Sequence, residues 1–454
     1  MNPPIWDFAA FDFWLKPLGM LTAAGKVGGA NVQIFDFLDR SHEFYKDNPQ
    51  YKNDNWGRGK YFSERIPKPD VFKKIPRYFR RFGLPAEIFV EFLKSNKPCD
   101  FVFIQTVMTY WYLGYREVIE AVKKYWPRTR IVLGGPYTKI CPEHSRNLGA
   151  DFIWGEKQPP PQGWGLNNKR LPMWGVYKKP ETAAIKITQG CPFKCTYCTV
   201  PLFCEGFAAR GIEEVIEELK YLISLGVKNI AFYDDALLYK SDEVLKPFLR
   251  YVIENKINPH TYCTIQKTEE KIIQQIPVGK NFNIRPNKTI SVGVNVNFHT
   301  PNALNARFID KEVASLMVKA GFKSFYLGFE SRAGKFQKQT GSKVFDNELA
   351  DAVKILVGAG AEASSITAYL MLGHPRYEIQ ETEESMRFVN GLGIKIMLAD
   401  FSPIPGTPDG KLCEKYIDMN EPLMHSKTVF PIILFGNDRV NRIKDMCRDL
   451  NQKV

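Results

Sequence analysis

Ile187-Thr188-Gln189-Gly190-Cys191-Pro192-Phe193-Lys194-Cys195-Thr196-Tyr197-Cys198 sets three cysteines in the spacing C-x-x-x-C-x-x-C, and the rest of the chain is read outward from it. Three thiolates on one short loop hold three corners of a four-iron cubane, which leaves the fourth iron open to a small molecule. A structural zinc site instead wants four tetrahedral ligands, usually from paired C-x2-4-C units. Only Cys204 follows closely enough to be a fourth ligand, and no second cysteine or histidine pair accompanies it, so iron is preferred over zinc.

The chain has 454 residues, 44% apolar and 13% aromatic, values of a globular protein with room for two or three cores. No run approaches the roughly 18 apolar residues of a membrane span. Met1-Asn2-Pro3-Pro4 carries neither a basic nor an apolar leader region, so a cytoplasmic location is expected, with peripheral contact at a membrane left open. Nine cysteines in so long a chain do not make a disulfide framework. Cys99, Cys141, Cys263, Cys413 and Cys447 are expected as buried fillers, and Cys204 more as a small buried side chain than as a hydrogen-atom donor. The net charge of +13 is spread over many segments, which disfavours a dedicated nucleic-acid surface. The densest stretch, Lys68 to Arg81, alternates Lys73, Lys74, Arg77, Arg80 and Arg81 with Phe72, Tyr78 and Phe79. It reads either as a helix with aromatics inward and cations outward or as the lining of an anionic surface.

Residues 1–160 alternate strand and helix patterns in the manner of a Rossmann-like parallel sheet: a helix from Pro17 to about Gly28, strands at Val32–Phe37, Phe101–Thr106 and Ile131–Gly135, and a helix near Tyr115–Tyr125. Ligands of such sheets sit at the carboxyl ends of strands, which singles out Asp36, Thr106 to Tyr112, and Gly134 to Tyr137. Proline-rich residues 161–180 read as a linker. From 181 to 408 the alternation resumes as a partial barrel of parallel strands, whose first strand delivers the cysteine loop at its carboxyl end. Residues 409–454 are expected to form a small helical cap over the barrel mouth. His299, His374 and His425 are expected to be structural.

The cysteine spacing resembles that of the radical S-adenosylmethionine enzymes, with Tyr197 in the place of their usual aromatic. This resemblance implies that Cys191, Cys195 and Cys198 hold a [4Fe–4S] cluster and that S-adenosylmethionine chelates the open iron. It further implies cofactor contacts from Asp234 and Asp235 at the end of Asn229–Asp235, from Glu330, Ser331 and Arg332 in a G-x-E-S-like element, and from Gly373 in Ala368–Pro375. Phe401–Pro408, which contains P-x-P-G-T, and Thr300–Arg307 are similar to further blocks of relatives that bind cobalamin. The first 160 residues resemble the cobalamin-binding domain of those relatives, whose pattern is D-x-H-x-x-G, S-x-L and G-G. The matching positions are Asp36 to Ser41, Thr106-Val107-Met108 and Gly134-Gly135, with Leu38 in place of the histidine and Ser41 in place of the glycine. Tyr110, Trp111 and Tyr112 offer a flat bed for a corrin, or are core. The short apolar strand that usually precedes the Asn-Pro-Pro element is missing ahead of Met1, so either the sheet lacks it or the natural start lies upstream.

The resemblance thus implies an enzyme that forms a 5'-deoxyadenosyl radical, with cobalamin as a second cofactor and methyl transfer to an unactivated carbon as the leading outcome. The catalytic residues that act on the substrate are unknown. A radical cyclase, rearrangement or coupling enzyme with a substrate-binding first domain is the alternative. A methylthiotransferase is disfavoured because Cys99 and Cys141 fall short of three extra cluster cysteines, and a zinc-stabilised nucleic-acid-binding protein is the reading from another class. An electron donor such as a ferredoxin or flavodoxin is the expected partner, and the substrate is left as a small molecule, a lipid or a peptide.

Overall fold

The fold was analysed in a computed structural model, which describes all residues except 11–15, 29–30, 47, 49–50, 155–164, 167–170, 256, 258–262, 267–288 and 293–295. Residues 161–164, with Trp164, and 167–170 of the expected linker lie outside the described residues. The described end of that linker is firmly packed, because Trp174 is fully buried and the Tyr177 hydroxyl donates to Asp36 at 2.7 Å.

In the first unit, β1 (Phe101–Gln105), β2 (Arg130–Gly134) and β3 (Phe152–Trp154) pair in parallel, and α1 (Tyr112–Tyr125) crosses from β1 to β2. Tyr115, Val118, Ile119 and Val122 form the buried stripe of α1 at helical spacing. Met1 and Asn2 lie beside β1: the Gln105 amide donates to the Met1 carbonyl at 3.0 Å, and the Phe37 amide donates to the Asn2 carbonyl at 3.0 Å. The strand expected at Val32–Phe37 is reduced to one bridge between Asn2 and Asp36. Its neighbour runs straight into Pro3 and Pro4, which have no amide hydrogen to continue the ladder.

Lys68 to Arg81 is not the expected helix. Pro69 and Pro76 punctuate it, Asp70–Phe72 is a single 3-10 turn, and Arg80–Phe82 is a strand paired antiparallel with both Ile5–Asp7 and Ser63–Arg65. Phe72 and Phe79 are buried as expected, but Arg81 turns inward and forks onto Glu117 through contacts of 2.8 to 3.0 Å. One of the cations assigned to an outward surface is therefore an internal strut.

The second unit is a single sheet of six parallel strands that follow one another in chain order: β4 (Thr182–Ile185), β5 (Asn229–Phe232), β6 (Asn297–Asn305), β7 (Phe322–Glu330), β8 (Ile366–Leu372) and β9 (Lys395–Asp400). Helices α2 (Ile212–Ser224), α3 (Leu245–Glu254), α4 (Lys311–Ala320), α5 (Asp346–Gly358) and α6 (Ile379–Gly391) connect them. Every residue of β4 and β5 is buried, as a parallel strand covered on both faces must be, and this is why these segments read as largely apolar runs. Val215, Leu219, Leu222 and Ile223 form the apolar stripe by which α2 is buried.

The tail ends in α7 (Asn437–Asn451), which packs on α6 and β9. The Asn451 side chain accepts from the Ile396 amide and donates to its carbonyl, both at 2.8 Å, so the tail closes the open edge of β9 as well as approaching the strand ends. The two units touch directly. The Lys16 amide donates to the Tyr233 hydroxyl at 3.2 Å, and Thr109 meets His425 at 2.9 Å.

Two cysteine expectations are corrected. Cys99 is exposed, because it precedes β1 on the loop side of the sheet, and Cys204 is half-exposed beside Gln189. Cys413 and Cys447 are buried, Cys141 is half-buried, and the side chain of Cys263 lies outside the described residues.

Candidate functional site

The cysteine loop leaves the carboxyl end of β4 by way of a small antiparallel pair, Thr188–Gly190 with Phe207–Ala209. Gly190 is obligatory there: its φ is +76°, and a Cβ would stand 2.2 Å from the Gly206 carbonyl oxygen. Cys191, Cys195 and Cys198 are half-buried free thiols that feel one another's charge. Burial raises all three above the ordinary thiol range, Cys198 to about 11, and Lys343 is the cation that opposes this at each. Among the described residues, no group of three or more His, Cys, Asp and Glu side chains is already drawn together as a metal site. Three adjacent thiols without a fourth protein ligand nevertheless suit a cubane with one open iron better than a closed zinc site.

The loop is framed on four sides, two of which bond it directly. Asp234, at the end of β5, is buried and accepts from the Ile187 amide at 2.9 Å, the Thr188 amide at 2.5 Å and the Thr188 hydroxyl at 2.7 Å, all through Oδ1. Its Oδ2 is buried with no hydrogen-bond partner, and desolvation lifts the acid to about 7 against the opposing bonds from Thr188. Asp235 pairs with Lys186 at 2.7 Å. Glu330, in the left-handed region at φ +68°, closes β7 and pairs with half-buried Lys343 at 2.8 Å. On the fourth side, Thr196 is bound by Thr340 and Asp409.

Of the expected contacts to S-adenosylmethionine, Tyr197, Asp234, Asp235 and Glu330 gather around the loop, and Ser331 is buried just beyond β7. Arg332 does not join them. It is half-exposed, pairs with Asp346 at 2.7 Å and covers the Phe388 ring. Gly373 has a packing duty, since at φ +92° a Cβ would strike Pro431 of the tail at 2.5 Å. Sequence reading missed Lys343 and Asp409. Lys343 was an unremarkable lysine in a polar stretch, and Asp409 stands 213 positions from Thr196.

In the first unit, both Asp36 oxygens are occupied: Oδ1 accepts from Asn2 at 2.7 Å and from the Leu38 amide at 2.8 Å, and Oδ2 from Tyr177. Leu38, in the histidine position, is buried. Thr106 is buried and donates to the Gly134 carbonyl at 3.0 Å, while a Cβ on Gly135 would stand 2.1 Å from the Thr106 carbonyl oxygen. Tyr110, Trp111 and Tyr112 are buried, with the Trp111 indole donating to Asp7 at 3.1 Å. Met108 packs against the same core. A cavity of about 1940 Å³ runs along the first sheet, from residues 97–100 ahead of β1, past these strand ends to the root of the cysteine loop, and its walls there include Thr106, Gly134, Gly135, Lys186, Thr188 and Tyr233. Its volume is about twice the upper end of ordinary drug-sized pockets.

The six-stranded parallel sheet, in chain order, carries three free cysteines on the loop after its first strand. Residues 185–389 match the model of the Radical SAM superfamily, so this part of the chain is a radical SAM domain, for which a [4Fe–4S] cluster and S-adenosylmethionine are the cofactors. The chain is similar to the ribosomal protein uS12 methylthiotransferase RimO of Bacteroides fragilis, with 38% identity over 64 residues. That match covers 14% of this chain and 15% of the relative, so only a short part of the curated relative is represented. Among solved structures, the chain resembles the radical S-adenosylmethionine methyltransferase TsrM from Kitasatospora setae. With cobalamin and a [4Fe–4S] cluster bound to TsrM, the TM-score is 0.56 at 12% identity, over 80% of this chain and 82% of that one. With tryptophan and an S-adenosylmethionine analogue bound, it is 0.53 at 14% identity, over 73% and 68%. At such identities the likeness is one of fold. No helix among the described residues is long and apolar enough to cross a membrane.

Proposed function

We propose that this radical S-adenosylmethionine enzyme is a cobalamin-dependent methyltransferase acting on an unactivated carbon, with Cys191, Cys195 and Cys198 as the cluster ligands. The observation that carries the reading is the large cavity that runs along the first sheet and reaches both its carboxyl strand ends and the root of the cysteine loop. A methyl carrier belongs between its own binding sheet and the place where a substrate radical forms. The fold likeness to a methyltransferase solved with cobalamin supports the same reading.

The bound cofactors would supply reductive cleavage of S-adenosylmethionine and a transferable methyl group. The chain's own part is positional. Asp234 fixes the root of the loop, and Tyr197 lies between Cys195 and Cys198 in the chain. Lys343 offers positive charge beside Cys195 and Cys198, and we assign it the carboxylate-facing role expected of Arg332. In the first unit, Thr106, Trp111, Gly134 and Gly135 line the cavity, whereas Asp36, Tyr110 and Tyr112 support its walls. With Leu38 at the histidine position, cobalamin would be held there without an imidazole from that position. A small electron carrier such as a ferredoxin or flavodoxin would provide the electron.

The test is uptake of hydroxocobalamin by the purified full-length chain, followed by its visible spectrum after gel filtration. Retention of about one equivalent per chain is expected. If none is retained, methyl transfer through cobalamin is ruled out, and a cyclase, rearrangement or coupling reaction becomes the better account of the radical chemistry.

A further inference from the structure

Asp409 is fully buried just after the P-x-P-G-T turn, in the short helix Pro408–Cys413 that Thr407 caps through a 2.9 Å bond from the Gly410 amide. Gly410 is needed for this turn, because a Cβ there would sit 1.9 Å from the Ile404 carbonyl oxygen. Asp409 grips one residue of the cysteine loop twice. Its Oδ2 accepts from the Thr196 hydroxyl at 2.6 Å, and its amide donates to the Thr196 carbonyl at 3.2 Å. Thr196 lies directly after Cys195 and two positions before Cys198.

The grip is itself braced. His374 approaches Oδ2 at 3.0 Å, and Arg376 forks onto Oδ1 through Nε at 2.9 Å and Nη2 at 2.7 Å. Both residues follow β8, so one buried carboxylate joins the end of β8, the start of the tail and the middle of the cysteine loop. Phe336 and Phe401 pack edge-on against the His374 ring and seal it. A carboxylate with four donors and no exposed surface is stiff, because any movement strands a buried charge. From the opposite side, the Thr196 amide donates to the Thr340 carbonyl at 3.2 Å, and a Cβ on Gly341 would stand 3.2 Å from the Cys195 Cα.

We propose that Asp409 is a positioning residue, which clamps the Cys195–Cys198 half of the loop through Thr196 and thereby makes cluster retention depend on docking of the carboxyl-terminal tail. The clamp is a property of the metal-free chain. Its consequence for iron rests on the ligand assignment proposed above.

The experiment compares Thr196→Val, Thr196→Ser and Asp409→Asn with the unmodified full-length chain by two measurements. The first is backbone hydrogen exchange across residues 191–198 of the metal-free chain, with Thr182–Ile185 as the internal reference. The second is the rate at which the reconstituted chain loses iron to bathophenanthroline. Thr196→Val and Asp409→Asn should each speed exchange of the loop by about tenfold or more relative to the reference strand, and Thr196→Ser should restore it. Iron loss should accelerate in the same two variants. Unchanged loop exchange in Thr196→Val, which removes only a hydroxyl on the loop side, would overturn the clamp even if Asp409→Asn failed to fold. If the unmodified chain took up no iron, the ligand assignment would fall, and exchange alone would decide the clamp.

Discussion

The cysteine loop and the glycine-pair end of the first sheet are both strand ends that sequence motifs marked as cofactor sites, yet they spend their polar groups in opposite ways. Around the cysteines, Asp234, Asp409 and Thr340 hold the loop's backbone and hydroxyl groups while the three thiols stay free of disulfides. In the first unit, the motif residues are themselves consumed: Asp36 serves Asn2, Leu38 and Tyr177, Thr106 serves Gly134, and Trp111 serves Asp7. A group that satisfies buried neighbours cannot also serve a ligand without leaving them stranded. The first site must therefore work through its walls and volume, and the second through named atoms.

The largest effect expected from this contrast is on stability. Trp111→Ala should cost about 3–5 kcal/mol in denaturant unfolding, because it removes a buried aromatic and leaves buried Asp7 without its indole donor. A variant that kept its stability and lost only hydroxocobalamin would break the comparison. Asp234→Ala comes next. It should cost about 1–3 kcal/mol through stranded amides, with a several-fold drop in retained iron.

The ionisation of Asp234 sharpens the point. Burial raises its pKa from 3.8 to about 7, so between these values the folded chain holds a proton that the unfolded chain has released. Its contribution to stability should then decline as pH rises from about 4 to about 7, and Asp234→Asn should flatten that slope in urea midpoints taken across the window. The opposite sign is expected at His425, which burial lowers to about 4 and which contacts Thr109 and the Met419 carbonyl. Below pH 6.5 the unfolded chain takes the proton first, so stability should fall with acidification towards pH 4, less so in His425→Gln. The smallest effect is reserved for Arg332→Ala. Its half-exposed pair should be worth within about 0.5–1 kcal/mol, and S-adenosylmethionine affinity should change little. A large loss of affinity there would return Arg332 to the site and displace Lys343.

The cysteine loop and the strands that frame it were legible because both signals are local. Three cysteines within eight residues have few other uses, and β4, β5 and β8 announce burial on both faces by largely apolar runs. Asp409 and Lys343 were illegible because their significance depends on contacts across distant chain positions, and each looks ordinary in its own stretch. Val32–Phe37 read as a strand from its apolar residues, but strand pairing needs donors on the neighbour, and Pro3 and Pro4 supply none. Lys68 to Arg81 matched a helical face, yet its prolines and the inward ion pair of Arg81 with Glu117 favour turns and an edge-paired strand. Asp36, Thr106 and Gly135 carry a family pattern whose residues the fold uses for its own packing.

The central claim is that Cys191, Cys195 and Cys198 hold a four-iron cluster at which S-adenosylmethionine is cleaved. Anaerobic reconstitution with iron and sulfide, followed by counting iron and acid-labile sulfide and assaying 5'-deoxyadenosine under reducing conditions, tests it directly. The unmodified chain should carry about four irons with matching sulfide and release 5'-deoxyadenosine, and Cys195→Ala should lose both properties. A Cys195→Ala chain that retained the cluster and the cleavage, or an unmodified chain that took up zinc without sulfide, would contradict the account.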